Sequence, residues 1–239
     1  MEGFTVSNSD EYVESLRALS AELWPIHRTP DDGDADSERD DIEEPFIDDR
    51  RAEDLSLEEI FRQFDIGGEA ESHGLDAGAI ERLNALIPDR QSLATTFAEF
   101  FEGLGIKNFE ARELLVMGGG NASGPCKGKN RVPAKHLWPN IVMTIRALDK
   151  IRDNLGYAIR TTSVYRHPDY NECLRKYNSG VAKNSQHMYF RAIDFKGAAG
   201  SPKEWHAAVT AFKNANPKYG IWSSLYKTFV HIDTRYFKQ

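Results

Sequence analysis

Ser185-Gln186-His187-Met188-Tyr189-Phe190-Arg191-Ala192-Ile193-Asp194 is the stretch on whose reading the fold turns. It sets His187 behind a serine and places Asp194 seven residues later, inside the apolar run Ala192-Ile193-Asp194-Phe195, which predicts a strand over residues 190–195. A second predicted strand, residues 228–234, carries His231 in Phe229-Val230-His231-Ile232-Asp233. Two imidazoles and one carboxylate suit a divalent zinc ion and leave a fourth position open for water, as a hydrolytic site needs. The competing reading of the same residues is a pair of histidines buried in a sheet. His27, His73, His136 and His206 have no acidic or cysteine company at ligand spacing and read as structural or surface residues.

Working outward, Tyr157 to Tyr165 is rich in β-branched residues (Ile159, Thr161, Thr162, Val164) and predicts another strand. Pro168 opens a helix carrying Tyr170 and Leu174, and a further helix is expected over Pro202 to Phe212. Ile141, Ile145, Leu148 and Ile151 recur at helical spacing between Leu137 and Leu155, with Gly156 where a C-cap glycine belongs. The run Gly118-Gly119-Gly120-Asn121 reads as a hinge-like turn, because no GxxxxGK[ST] pattern or leading strand supports a phosphate loop. Helices followed by short strands wrapped around a helix give an α+β domain.

Length and charge constrain the partners. A chain of 239 residues with 40% hydrophobic positions can bury one substantial core and a small second unit. No run of eighteen apolar residues exists, and Met1-Glu2-Gly3-Phe4 lacks the features of a signal peptide, so neither a transmembrane segment nor ordinary secretion is expected. Cys126 and Cys173 are too few for a disulfide framework and form no metal-type pair; one bridge between them is open if the protein works outside the cytosol. The net charge of −7 conceals a division near Gly105: residues 1–104 carry −20 and residues 105–239 carry +13. A basic half suits a polyanion such as nucleic acid, a membrane surface or a bacterial envelope. No recognition helix, zinc finger or RNA-binding motif is present, which disfavours nucleic acid.

Four regions are expected: an N-terminal helical segment over 1–30, an acidic and disordered linker over 31–54, an acidic helical region over 55–104, and a catalytic domain over 105–239. The linker holds 13 acidic and 3 basic residues. Asp32, Asp34, Asp36 and Glu43 within it match positions of a calcium loop, but Ser37 stands where the turn wants glycine and Arg39 where an apolar anchor belongs. Predicted helices run from Ser9 to Leu23, Ser56 to Phe64, Ala77 to Ile87 and Ser92 to Leu104, the second opening with the capping-box pattern Ser56-Leu57-Glu58-Glu59. Phe61, Phe64, Phe97, Phe100 and Phe101 read as core or docking face.

The decisive stretch resembles the motif Ser-x-His-x-x-Gly-x-Ala-x-Asp of the zinc D-alanyl-D-alanine carboxypeptidase and endopeptidase family, whose fold is shared with the Hedgehog signalling domain; Phe190 replaces the glycine. Thr162-Ser163-Val164-Tyr165-Arg166-His167-Pro168-Asp169-Tyr170-Asn171 is similar to the family's upstream Ser-Gly-Tyr-Arg-Ser-Pro-x-Tyr-Asn segment, and Gly220 to Arg235 to its terminal histidine strand. The resemblance covers residues 105–239 and implies a small antiparallel sheet with packed helices. It also implies one zinc ion (Zn2+) held by His187, Asp194 and His231, with Arg166 stabilising the oxyanion or gripping the substrate. Tyr165, Ser185, Gln186, Trp222 and Tyr226 are then expected to contact substrate. Relatives place a glutamate or histidine base where this chain has Thr228 and Phe229, which leaves Asp233, as base or as the acceptor orienting His231, with His167 and Tyr226 as further candidates.

The implied activity is hydrolysis of an amide bond involving D-alanine in peptidoglycan stem peptides or cross-links, in the bacterial periplasm or cell wall after lysis, phage injection or a secretion apparatus. The acidic half is then expected to deliver, dock or mask the enzyme. A zinc-containing wall-binding or signalling module of the same fold is the alternative. An iron and 2-oxoglutarate oxygenase is disfavoured, because only six residues come after His231-Ile232-Asp233 and none is histidine.

Overall fold

The computed structural model describes residues 9–23, 55–64 and 76–237. The expected linker with its calcium-loop residues, and His27 and His73, lie outside the described residues.

Helix α1 (Ser9–Leu23) buries the stripe Val13, Leu16, Leu19 and Leu23. Helix α2 (Leu57–Gln63) starts with the predicted box, Ser56 and Glu59 each bonding the other's backbone N–H. Helices α3 (Ala77–Leu86) and α4 (Leu93–Gly103) are capped by the side chains of Asp76 and Ser92. After a 3-10 turn at Ala111–Leu114 come the single turn α5 (Gly119–Ala122), a 3-10 segment Lys135–Ile141 and α6 (Val142–Leu155). Pro139, with no N–H to donate, lies in the 3-10 segment, so the stretch from Leu137 is not one continuous α-helix. The remaining elements are β1 (Ile159–Ser163), α7 (Pro168–Tyr177), a 3-10 turn Gln186–Tyr189, β2 (Ala192–Gly197), α8 (Pro202–Ala215), β3 (Trp222–Leu225) and β4 (Val230–Asp233).

The four strands form one antiparallel sheet in the order β1-β2-β4-β3. Because side chains alternate along a strand, Ile193, Phe195, Val230 and Ile232 share one face, all fully buried in the core that α6 and α8 complete. Asp194, His231 and Asp233 take the other face. This is the α+β architecture expected of the sequence.

The acidic helices are packed into the same hydrophobic core as the sheet. Phe97 and Phe100 surround Trp138, with ring centroids 4.8 and 5.6 Å from it. Helix α1 lies on residues 135–141 and on α6, where Asp10 pairs with Arg146 at 2.8 Å. Ser20 Oγ donates to Asn140 Oδ1 at 2.6 Å, and Asn140 Nδ2 donates to the carbonyl of Tyr189, in the same 3-10 turn as His187. Phe97, Phe100 and Phe101 are therefore core, and Phe61 and Phe64 pack partly buried against it.

The glycine run is no open hinge. Gly118 adopts a φ of 78°, and a Cβ on Gly120 would meet the Tyr170 hydroxyl at 2.9 Å, so the chain there is pressed against α7. Cys126, just beyond, is disulfide-bonded to Cys173 of α7, so the bridge that the two cysteines allow is formed.

Candidate metal centre

Asp194 on β2 and His231 on β4 are direct cross-strand partners, so their side chains meet on one face. His187 arrives from the turn Gln186–Tyr189, whose cap Ser185 accepts the His187 N–H at 3.4 Å. The turn closes at Phe190 with φ 52°, the left-handed conformation that a glycine would adopt without strain. Phe190 is fully buried, edge-on to Tyr165 at 6.2 Å, and that burial offsets a backbone cost of roughly 1–3 kcal/mol.

Three ligand atoms converge. His187 Nε2 lies 3.2 Å from His231 Nδ1 and 3.2 Å from Asp194 Oδ2, and His231 Nδ1 lies 2.7 Å from Asp194 Oδ1. The outer nitrogens are committed elsewhere. His187 Nδ1 bonds the carbonyl of Val164 at 2.8 Å, and His231 Nε2 bonds Asp233 Oδ2 at 2.9 Å. Both partners are acceptors, so both outer nitrogens carry the proton and, with the imidazoles neutral, both inner nitrogens turn lone pairs toward Asp194. Three buried lone-pair donors aimed at one point are unfavourable without a cation, and their separations approach those around an ion with bonds of about 2.0–2.2 Å. The residues present fit a divalent metal.

Charges at the centre are set by burial and by these partners. Burial pushes His187 down to about 4, against the pull of Asp194. Burial also works against a charged His231, but its hydrogen bonds to Asp194 and Asp233 outweigh it and push the imidazole up to about 9 in the absence of metal. Burial raises Asp194, yet His187 and His231 overcome this and hold its carboxyl far below the usual range.

Arg166 lies just beyond β1. Its Nη2 is 3.0 Å from Asp194 Oδ2, its Nε donates to Ser163 Oγ at 3.1 Å, and its backbone N–H donates to the His187 carbonyl. A guanidinium thus stands against the Asp194 carboxylate at the edge of the cluster. Trp222 is edge-on to His231 at 5.5 Å, and the Arg235 guanidinium covers its ring at 4.0 Å. Tyr226 lies farther along the same strand face, at the hairpin tip, stacked on Phe229 at 4.3 Å. Gln186 sits in the His187 turn with a buried Oε1 that has no hydrogen-bond partner among the described residues.

Tyr165 is only 3% exposed and packs edge-on against Phe190, which closes the His187 turn. Of the two roles expected of Asp233, base or acceptor orienting His231, its surroundings match the second: it is fully buried and its carboxylate is shared between His231 and the Nε and Nη2 of Arg235. Thr228 and Phe229 supply no carboxylate or imidazole. His167 Nδ1 accepts the Asp169 N–H at 3.3 Å as the cap of α7.

Sequence reading missed the Val164 carbonyl, Asn140 and the role of Arg235. A backbone acceptor has no side-chain signature. Arg235, however, stands two residues after Asp233 in a strand-ending segment, a spacing that signals its carboxylate partner.

In comparison with known proteins, the family model described as Peptidase M15 matches residues 107–233, more than half of the chain. No curated protein and no solved structure matched. The matched region holds His187, Asp194 and His231 together with Arg166 and Asp233. The chain belongs to the peptidase M15 family and is a hydrolase of the metallopeptidase type.

Proposed function

We propose that the protein is a zinc-dependent peptidoglycan hydrolase that cleaves an amide bond involving D-alanine, in the stem peptide or the cross-link. The observation carrying this reading is the convergence of His187 Nε2, Asp194 and His231 Nδ1 with both outer nitrogens tied to acceptors. Zinc at such a centre supplies Lewis acidity toward a carbonyl and lowers the pKa of its water to about 7. The rest is done by the chain. Asp233 and the Val164 carbonyl hold the imidazoles in ligand orientation. Arg166 is poised beside Asp194 to offset negative charge developing on the scissile carbonyl. Gln186, Trp222 and Tyr226 line the approach and bind the peptide.

The anionic bacterial envelope matches the charge of +13 on residues 105–239. The Cys126–Cys173 disulfide supports work in an oxidising compartment such as the periplasm or the outer face of the wall. The carboxypeptidase and endopeptidase forms of the reaction differ only in the group on the leaving side of the scissile bond.

A second reading is favoured by one observation: neither the Thr228 and Phe229 positions nor Asp233 offers a free base. On it, the chain binds zinc and stem peptide without cutting. Purified sacculi incubated with the zinc-loaded protein, with and without chelator and beside His187→Ala, separate the two. Muropeptides released by the parent alone, identified by mass, support the hydrolase and name the bond. Zinc bound at one equivalent with no release supports the binding module.

A further inference from the structure

Arg166 is held by more than its own side chain. Asn130, 3% exposed, lies in the loop beyond α5 and spans both neighbours of Arg166. Its Nδ2 donates to the carbonyl of Tyr165 at 2.9 Å, and its Oδ1 accepts the N–H of His167 at 2.8 Å. The same side chain donates to the Met117 carbonyl at 2.9 Å and accepts the Arg131 N–H at 3.1 Å. Both donors and both acceptor positions of the amide are thus used, and apart from the longer glutamine no other side chain type provides two of each in this planar shape.

The loop carrying Asn130 is itself fixed. Asn121 Oδ1 accepts the Asn130 N–H at 2.7 Å, and the Gly128 N–H donates to the Asn121 carbonyl at 3.0 Å. The Cys126–Cys173 bridge ties the loop to α7, which begins directly after His167. The backbone at Arg166 is therefore clamped on three sides: by Asn130 before it, by Asn130 after it, and by its own N–H to the His187 carbonyl.

We propose that Asn130 is a positioning residue of the reaction, gripping the peptide units on either side of Arg166 so that the guanidinium stays aimed at the metal centre. The catalytic part of this rests on the role given to Arg166 under the proposed function. A bare turn staple would have no reason to straddle that residue and to be anchored by a disulfide to the helix beyond it. Misplacement by about 1 Å in a catalytic group costs up to roughly a hundredfold in rate, so a clamp of this kind affects turnover more than binding.

The test uses the zinc-loaded full chain with Asn130→Ala and Asn130→Asp. The aspartate keeps the shape and the acceptor toward His167 but loses both donated bonds, and it serves if the alanine variant does not fold. Two measurements are made: muropeptide release from sacculi, and the heteronuclear NOE of the Arg166 Nε–H. Expected are a kcat lowered on the order of tenfold with KM within about twofold, unchanged zinc content and a reduced NOE. In an Arg166→Ala background, Asn130→Ala should change kcat by less than about twofold, because the group it positions is gone. An unchanged Arg166 NOE in the folded variants, or the same loss of kcat with and without Arg166, overturns the proposal. If the parent releases no product, or Arg166→Ala is as fast as the parent, the functional reading fails instead, and the NOE still decides whether Asn130 positions Arg166.

Discussion

His231 is bonded on both sides by carboxylates: its Nδ1 lies 2.7 Å from Asp194 Oδ1 and its Nε2 lies 2.9 Å from Asp233 Oδ2. Asp194 meets the inner Nδ1 and Asp233 the outer Nε2, so the imidazole is held in orientation from both ends. Removing the outer partner should therefore weaken metal binding without removing a proposed ligand. Asp233→Asn is expected to lower zinc affinity by about 10- to 100-fold in a chelator competition, with activity at saturating zinc within a few-fold of the parent. Unchanged affinity combined with a loss of about a thousandfold in kcat would instead mark Asp233 as the base.

The metal-free protein should be most stable near pH 6.5. His231 has a folded pKa raised to about 9, so its contribution is complete below the unfolded value near 6.5 and fades as pH rises toward 9. His187 is lowered to about 4, so the unfolded chain takes up its proton first and stability falls as pH drops from 6.5 toward 4. A melting-temperature series on chelated protein should show both flanks. Zinc addition should raise the melting temperature most on the alkaline side, where the proton on His231 no longer competes. A monotonic profile across about pH 5 to 9 would contradict this assignment of charges.

Deleting residues 1–104 should destabilise the protein at every ionic strength. The masking role expected from charge alone requires activity to rise at low salt after that deletion. Packing requires the reverse, since Leu16, Leu19, Phe97 and Phe100 belong to the core that encloses Trp138. Leu16→Ala alone is expected to cost about 2–5 kcal/mol in denaturant unfolding. Full activity of a soluble truncated chain would show that α1 to α4 are dispensable.

Reducing the Cys126–Cys173 bridge should also lower stability. It closes a loop of 47 residues, for which chain entropy gives about 4 kcal/mol as the scale of the loss. Zinc content should not change, because neither cysteine touches His187, Asp194 or His231. The comparison is a pair of unfolding curves with and without reductant, each with the zinc content measured.

The sheet and the convergence of His187, Asp194 and His231 are legible because they rest on short-range rules. Alternation along residues 192–195 and 230–233 places Asp194 and His231 on one face, and the spacing to His187 identifies the turn. In α1, Tyr12, Leu16, Leu19 and Leu23 recur at helical spacing, which marks the helix locally. What the sequence hid is where an apolar stripe finds its partner. The acidic residues of α1 to α4 face outward, whereas the packing of Phe97 on Trp138 depends on tertiary geometry that local periodicity does not encode. Tyr165 sits in a motif beside Arg166, but strand-end geometry turns its ring into the core. Asn130 and Asn140 act on backbone groups distant in sequence, and a lone asparagine in a glycine-rich loop reads as a turn former.

The bond from Ser20 to Asn140 spans 120 residues, and that from Asp10 to Arg146 spans 136. Synthesis runs from α1 toward β4, so the stripe Leu16, Leu19 and Leu23 is made long before residues 135–155, which cover part of it. Contacts of such separation raise the entropic cost of closing the chain and slow folding. The His187 turn inherits this delay, because the Tyr189 carbonyl within it is held by Asn140, and Ser20 holds Asn140 only once the two distant segments have met.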